Sequence, residues 1–319
     1  MTTTLITGGA GFLGTNLAIY LAEQQGHDVI VLDDMSTGSH SRVLSENPQT
    51  TLEDYAEVVR HDVNRKFRIV CDEIYHLACP ASPEHYQADP IRTTMTAVRG
   101  TYNALLCAEQ VGARILIAST SEVYGQPLEH PQSEKLWAHI NPVGERSCYD
   151  TGKAAAESLA ANFCEQRNLD VRIARIHNTY GPLMDCNDGR MVPNFIQQAL
   201  LGGDITVYGD GLQTRSLCYV DDMVHGLVAL LENQALADGM PVNLGNPDER
   251  TVLEIANVIK ELTASESTII FEDLPSDDPV RRCPDISFAK RILPWKPEVS
   301  LPSGLSRTIS YFREMMGSF

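Results

Sequence analysis

Thr4-Leu5-Ile6-Thr7-Gly8-Gly9-Ala10-Gly11-Phe12-Leu13-Gly14, "TLITGGAGFLG", is the stretch on which the fold turns. Apolar and β-branched residues of strand character run into a glycine cluster, and Phe12 to Gln25 continues with the apolar spacing of a helix. Gly8, Gly11 and Gly14 form a G-x-x-G-x-x-G pattern, with Phe12 and Leu13 between the last two. Glycines so placed permit a tight turn and let backbone N–H groups approach a pyrophosphate at the positive end of the helix. Asp33, ending a second apolar run about 20 residues on, completes the pattern. A carboxylate there accepts hydrogen bonds from ribose hydroxyls and repels a 2′-phosphate, and Asp34 adds a second charge. The stretch therefore predicts bound NAD rather than NADP. Asp62 and Val63, after a third strand, are expected near the adenine, and Leu77 and Ala78 of "HLA" beside the ribose and nicotinamide. His76 reads equally well as a structural histidine.

Outward from the glycine turn, short apolar runs alternate with helical patterns. Strands are predicted near Thr4 to Thr7, Asp28 to Leu32, Val58 to Arg60, Glu73 to His76, Arg114 to Ala118 and Val171 to Arg175. Helices are predicted near Phe12 to Gln25, Pro90 to Val111 and Tyr149 to Asn168. This alternation implies an α/β fold, a Rossmann-type doubly wound parallel sheet covered on both faces. Beyond Asn178 the chain turns to Gly- and Pro-punctuated segments such as "VYGDGLQTRS" and "NLGNPDERT". The expected organisation is an NAD-binding domain over residues 1–178 and a smaller, mainly substrate-binding lobe over 179–319. A helix at Asp222 to Leu231 is a candidate to return to the main sheet. Ser36 to Asp54 is polar and carries no clear pattern.

Composition narrows the partners. With 25 Lys and Arg against 42 Asp and Glu the net charge is −17, a field that repels nucleic acid and anionic membrane. An anionic substrate then requires local arginines gathered against that field. The eight cysteines include no C-x-x-C pair and no zinc-finger spacing, so they read as free thiols, and no metal is predicted. No apolar run reaches the roughly eighteen residues of a membrane span. A strand pattern beginning within the first residues leaves no room for a secretory leader. The expectation is a soluble, cytoplasmic protein.

Chemistry concentrates in "STSEVYG", Ser119 to Gly125, and "YDTGK", Tyr149 to Lys153. A tyrosine of ordinary pKa, about 10, is a poor base at neutral pH, and a nearby lysine cation stabilises its phenolate. Tyr149 and Lys153 are spaced i, i+4 and share a helix face. Such a pair can take a hydroxyl proton while NAD takes hydride from the same carbon. Cys148 has no thiol-activating neighbour in sequence and is not read as a nucleophile.

These motifs together resemble the extended short-chain dehydrogenase/reductase family that modifies nucleotide sugars, over essentially the whole chain. The resemblance implies that Thr120 hydrogen-bonds the sugar hydroxyl to be oxidised, with Tyr149 as base and Lys153 as its partner. Sugar 4,6-dehydratases of the family carry Thr-Asp-Glu before Val-Tyr-Gly, whereas this chain has Ser121 at the Asp position and keeps Glu122. Thr-Ser-Glu is similar to the UDP-glucuronate decarboxylases (UDP-xylose synthases). So are "HLACPASPEHYQADPI", "NPVGERSCYDTGK", "RIHNTYGP", "DGRMVPNF" and "DDPVRRCPDI". That group usually has Arg at Leu183 and Phe at His177.

For a UDP-sugar, the resemblance places Asn178 at the diphosphate. Arg215 and Arg282 can make charge-assisted bonds to phosphate, Tyr208 offers a face to uracil, and Arg190 can meet sugar or carboxylate oxygens. Pro80, Ser82, Tyr86, Ser121, Glu122 and Val192 complete the expected substrate contacts. The resemblance further implies a homodimer through four helices, two from each copy. Two other readings remain at this point: a related 4-epimerase or an enzyme releasing a 4-ketopentose, and a non-catalytic NAD-binding sensor.

Overall fold

The computed structural model describes residues 1–38, 50–236, 239–273 and 281–317. Residues 39–49 of the polar segment Ser36 to Asp54, and 277–280 of "DDPVRRCPDI", lie outside them.

The first half alternates as predicted: β1 Thr3–Thr7, α1 Phe12–Gln25, β2 Asp28–Asp33, β3 Glu57–Arg60, β4 Glu73–His76, α2 Pro83–Ala88, α3 Pro90–Met95, α4 Thr101–Val111, β5 Arg114–Thr120, α5 Ser147–Arg167 and β6 Val171–Ile176. These six strands, with Pro241–Leu244 added beside β6, form one parallel sheet ordered β3-β2-β1-β4-β5-β6 and then Pro241–Leu244. Successive strand residues face opposite sides. Ile6, Val31, Tyr75, Leu116 and Ala174 therefore enter one core layer, while Leu5, Leu32, Ile74, Ile115 and Ile173 enter the other. Apolar residues on both faces are what a sheet covered by helices on both sides requires.

The run Pro90 to Val111 is not one regular helix. A π-turn at Thr96–Gly100 separates α3 from α4. Gly100 lies against Val63, and a Cβ there would stand 2.8 Å from the valine's Cγ2. The absent side chain of Gly100 leaves room for that approach, a tertiary demand invisible in helical periodicity. Helix α5 begins two residues earlier than expected and stops where Asn168 turns left-handed, at φ 51°.

The second half comprises β7 Thr179–Tyr180, α6 Met191–Leu201, β8 Ile205–Tyr208, β9 Thr214–Ser216, β10 Cys218–Tyr219, α7 Val220–Glu232, β11 Pro241–Leu244, β12 Glu249–Thr251, α8 Val252–Thr263, β13 Ile269–Glu272, β14 Arg281–Arg282, α9 Ser287–Ile292 and α10 Leu301–Gly317. Small sheets β10-β7, β12-β9-β14 and β13-β8 build it. Helix α7 packs beside α1 and β11 joins the main sheet, so part of this half returns to the first.

Candidate active site

Strand order reverses between β1 and β4, and the glycine turn lies at the carboxyl end of β1 there, the place where open α/β sheets bind ligands. Gly8 holds φ 72° and donates its N–H to Leu32 O at 2.8 Å. A Cβ on Gly8 would stand 2.6 Å from Ala78 N, and one on Gly14 2.4 Å from Gly8 O, so neither position admits a side chain. Helix α1 starts without a side-chain cap and without an acidic residue in its first turn, leaving its positive end to an anion. Asp33 is buried, its carboxylate accepting from Ala10 N at 3.1 Å and Met35 N at 2.8 Å. Burial pushes the Asp33 carboxyl upward against those two bonds. At Asp34 burial also pushes up, but Ser36 and Arg92 outweigh it and hold the carboxyl below its ordinary value. This set fits the pyrophosphate and ribose of a dinucleotide.

Val63, Leu77 and Ala78 line the same crevice, with Phe12 and Leu13. Asp62 lies between His61 and Val63, which line the cavity, and its carboxylate accepts from Asn64 and faces Arg92 at 3.5 Å. His76 is structural, bonded to the hydroxyls of Thr7 at 2.7 Å and Thr101 at 3.2 Å.

The crevice continues without a break into a second region, one cavity of about 1330 Å³. Thr120 ends β5, and the 3-10 turn Ser121–Tyr124 follows directly, its start fixed by the Glu122 N–H donating to the Thr120 hydroxyl at 3.2 Å. Across from it the first turn of α5 presents Tyr149, buried and stacked on Tyr86 with ring centroids 5.2 Å apart. The Lys153 ammonium donates to Ala118 O at 2.8 Å and sits 5.9 Å from the Tyr149 ring centre. Burial, seconded by the Cys79 thiol, pushes the Tyr149 phenol upward, and the Thr120 hydrogen bond opposes it. The spacing alone suggests that the lysine dominates that balance; here the ammonium donates a hydrogen bond to the Ala118 carbonyl, and burial is the largest influence on the phenol.

Glu122 lies in a basic pocket. Arg146 pairs with its carboxylate, Arg282 Nη2 reaches it at 2.7 Å, and Arg282 Nη1 donates to Ser121 O at 3.0 Å. Burial pushes Glu122 upward, yet Arg282, Arg146 and Arg215 outweigh it and hold the carboxyl below its ordinary value. Arg146 was not singled out in the sequence. Its only local signal is its position one helical turn before Tyr149, since the pairing with Glu122 spans 24 residues. The Arg282 Nε and Tyr86 hydroxyl are buried without a partner among the described residues.

The remaining expected contacts line the same cavity: Pro80, Ser82 and Tyr86 from the segment after β4, Asn178 after β6, Arg190 and Val192 at the start of α6, Tyr208 at the end of β8, and Arg215 on β9. Arg190 is paired with Asp188, its Nη2 at 2.8 Å from Oδ2. Tyr208 is exposed at the rim. Cys148 is buried and donates to Tyr86 O at 3.5 Å, with burial raising its thiol, the opposite of an activated nucleophile. Leu183 takes φ 67° and packs into the core on the cavity's edge. His177 is buried against Tyr124 and donates to Asn243 Oδ1 at 3.3 Å, the asparagine being supplied by β11.

The family model "NAD dependent epimerase/dehydratase family" matches residues 4–245. UDP-glucuronic acid decarboxylase 1 of Arabidopsis thaliana is 51% identical over 97% of this chain and 69% of its own length. UDP-glucuronic acid decarboxylase 1 of Xenopus tropicalis is 49% identical over 97% and 72%. Among solved structures, the UDP-glucose 4-epimerase of Thermotoga maritima with UDP-glucose superimposes with a TM-score of 0.87 at 27% identity, covering 98% of this chain and 99% of the other. The UDP-glucuronic acid 4-epimerase of Bacillus cereus in complex with NAD gives 0.83 at 26%, covering 98% and 96%. A glycine turn closed to side chains, a crevice at the strand-order reversal and a Thr–Tyr–Lys set at its end coincide with matches of this extent: the chain belongs to the NAD dependent epimerase/dehydratase family.

Proposed function

We propose that this protein decarboxylates UDP-glucuronate to UDP-xylose through a 4-keto sugar. The observation that carries the reading is Glu122, held as a carboxylate by two arginines beside Thr120 and Tyr149, with Ser121 where a dehydratase would need an acid. The near-50% identity to UDP-glucuronic acid decarboxylases over almost the full chain supports it.

In this reading Thr120 orients the C4 hydroxyl and Tyr149 removes its proton. NAD, which the Gly8–Gly14 turn and Asp33 would hold, would supply two-electron oxidation and reduction at C4. A ketone at C4 makes the C6 carboxylate that of a β-keto acid, so carbon dioxide leaves C5 and the carbonyl accepts the electron pair. Glu122 positions a water and helps the ring align its breaking bond with the carbonyl. After protonation at C5, Tyr149 returns its proton to the C4 oxygen. Asn178, Arg215 and Arg282 serve the diphosphate, Tyr208 the uracil, and Arg190 sugar or carboxylate oxygens. Residues 1–178 hold cofactor and catalytic groups, and 179–319 chiefly the nucleotide sugar. A homodimer through α3, α4 and α5 of each copy belongs to the same reading, supported by Ile91 and Met95, one turn apart on α3 and 79% and 42% exposed.

Proton NMR of the protein incubated with UDP-glucuronate and catalytic NAD tests the proposal. UDP-xylose is the expected product. UDP-galacturonate would make it an epimerase, an accumulating 4-ketopentose would mean hydride is not returned, and unchanged substrate would overturn the assignment.

A further inference from the structure

Arg282 turns toward Glu122, and the alternation of an extended chain sends the next side chain, Cys283, away from the cavity. There the ligand atoms of His130, Glu249 and Cys283 all lie within 4.8 Å of one another. His130 Nε2 is 2.9 Å from Glu249 Oε2. The three residues come from separate parts of the chain, yet the backbone holds them in register. Gln132 N donates to Cys283 O at 2.9 Å, Cys283 N to Gln132 Oε1 at 2.9 Å, and Asp285 N to Gln132 O at 2.8 Å. Glu249 sits opposite Ser216 on β9, which also pairs with β14, the strand leading into Cys283. The second oxygen of Glu249 is held by the Thr214 hydroxyl. Cys283 is buried at 6% exposure, while His130 and Glu249 keep 28% and 24% of their side chains open to solvent, which leaves an entry path.

We propose that His130, Glu249 and Cys283 form a binding site for a borderline divalent transition-metal ion of the Zn²⁺ class, with water as fourth ligand. One imidazole, one carboxylate and one thiolate is a donor set that Zn²⁺ accepts, whereas Mg²⁺ and Ca²⁺ take oxygen ligands. Bonds of about 2.0–2.3 Å to a tetrahedral ion put its ligand atoms roughly 3.2–3.8 Å apart, so the three need move only slightly. The ion replaces the His130–Glu249 hydrogen bond and the thiol proton, which passes to solvent. Occupancy ties the turn at 129–132 to the strand whose preceding residue grips Glu122. The site is separate from the substrate cavity and independent of which sugar that cavity takes.

Titration of the chelator-treated full chain with Co²⁺, a spectroscopic stand-in for Zn²⁺, tests this. The wild type should show a thiolate-to-cobalt charge-transfer band and tetrahedral d–d bands, both abolished by stoichiometric Zn²⁺ and untouched by Mg²⁺. Cys283→Ser should lose the charge-transfer band while still binding NAD in calorimetry. His130→Ala, at the exposed rim, should weaken Co²⁺ binding by at least about 10-fold. No charge-transfer band in the wild type, its persistence in Cys283→Ser, or an unchanged affinity in His130→Ala would each overturn the proposal. The last comparison decides even if Cys283→Ser does not fold.

Discussion

Tyr149 and Glu122 solve opposite electrostatic problems within one cavity. Burial disfavours charge on both, but Arg282, Arg146 and Arg215 outweigh it at Glu122, while at Tyr149 the Thr120 hydrogen bond and Arg190 oppose it without outweighing it. Replacing Tyr149 by Phe keeps the ring stacked on Tyr86 and removes the proton acceptor. Turnover should fall about 10²- to 10⁴-fold with NAD affinity unchanged in a fluorescence titration. Arg146→Ala removes one of the cations that hold Glu122 ionised. The Glu122 carboxyl then titrates at higher pH, so the acid limb of the kcat/KM profile should move upward, whereas a purely structural loss would scale the whole profile. Tyr149 with Lys153 was legible because four residues make one helical turn. The direction of the Lys153 ammonium was not, being set by Ala118 O on strand β5. Nor was Arg146, whose partner lies across a turn that has no sequence period.

Elements repeat that division at larger size. The glycine turn was readable because its requirement is local: a positive φ at Gly8 and contacts that exclude a Cβ at Gly14. Gly14→Ala would place a methyl 2.4 Å from Gly8 O, and relief of that clash must shift the start of α1. The expected outcome is a loss of about 1–3 kcal/mol in a denaturant melt, with NAD binding weakened in the same protein. The break between α3 and α4 was not readable. Its residues suit a helix, and the close approach of Val63 to Gly100 beside the wider turn is a contact across the chain that leaves no periodic mark. The hold on Asp62 was unreadable for a related reason, since the turn after β3 brings Asn64 to one oxygen of its carboxylate and Arg92 to the other.

At the scale of the whole molecule, two buried histidines couple folding to pH. Burial lowers His76 to about 3, helped by Lys153, and lowers His177 to about 3 against the Asn243 hydrogen bond. In the unfolded chain each takes a proton near pH 6.5. Between these values the unfolded state binds more protons, so stability falls as pH drops below about 6.5, by about 1.4 kcal/mol per pH unit for each histidine. Denaturant melts from pH 6.5 to 5 should show this slope, and His177→Phe should remove about one histidine's share. The proposed dimer is tested by sedimentation. Ile91→Glu with Met95→Glu puts two carboxylates on the exposed face of α3 and should yield monomers that still bind NAD.

The strand β11 carries a different consequence. The chain leaves the main sheet after β6, builds much of the opposite wall of the cavity, and comes back to pair β11 with β6 and to deliver Asn243 beside His177. The two walls are thus stitched by a thread that passes through both. Such a lobe cannot be exchanged as a cassette: removing it unpicks the edge of the sheet and uncovers β6. Change in what the cavity accepts must therefore come by substitution within the weave or by lengthening its surface loops, and any rocking of one wall against the other is tethered at the seam.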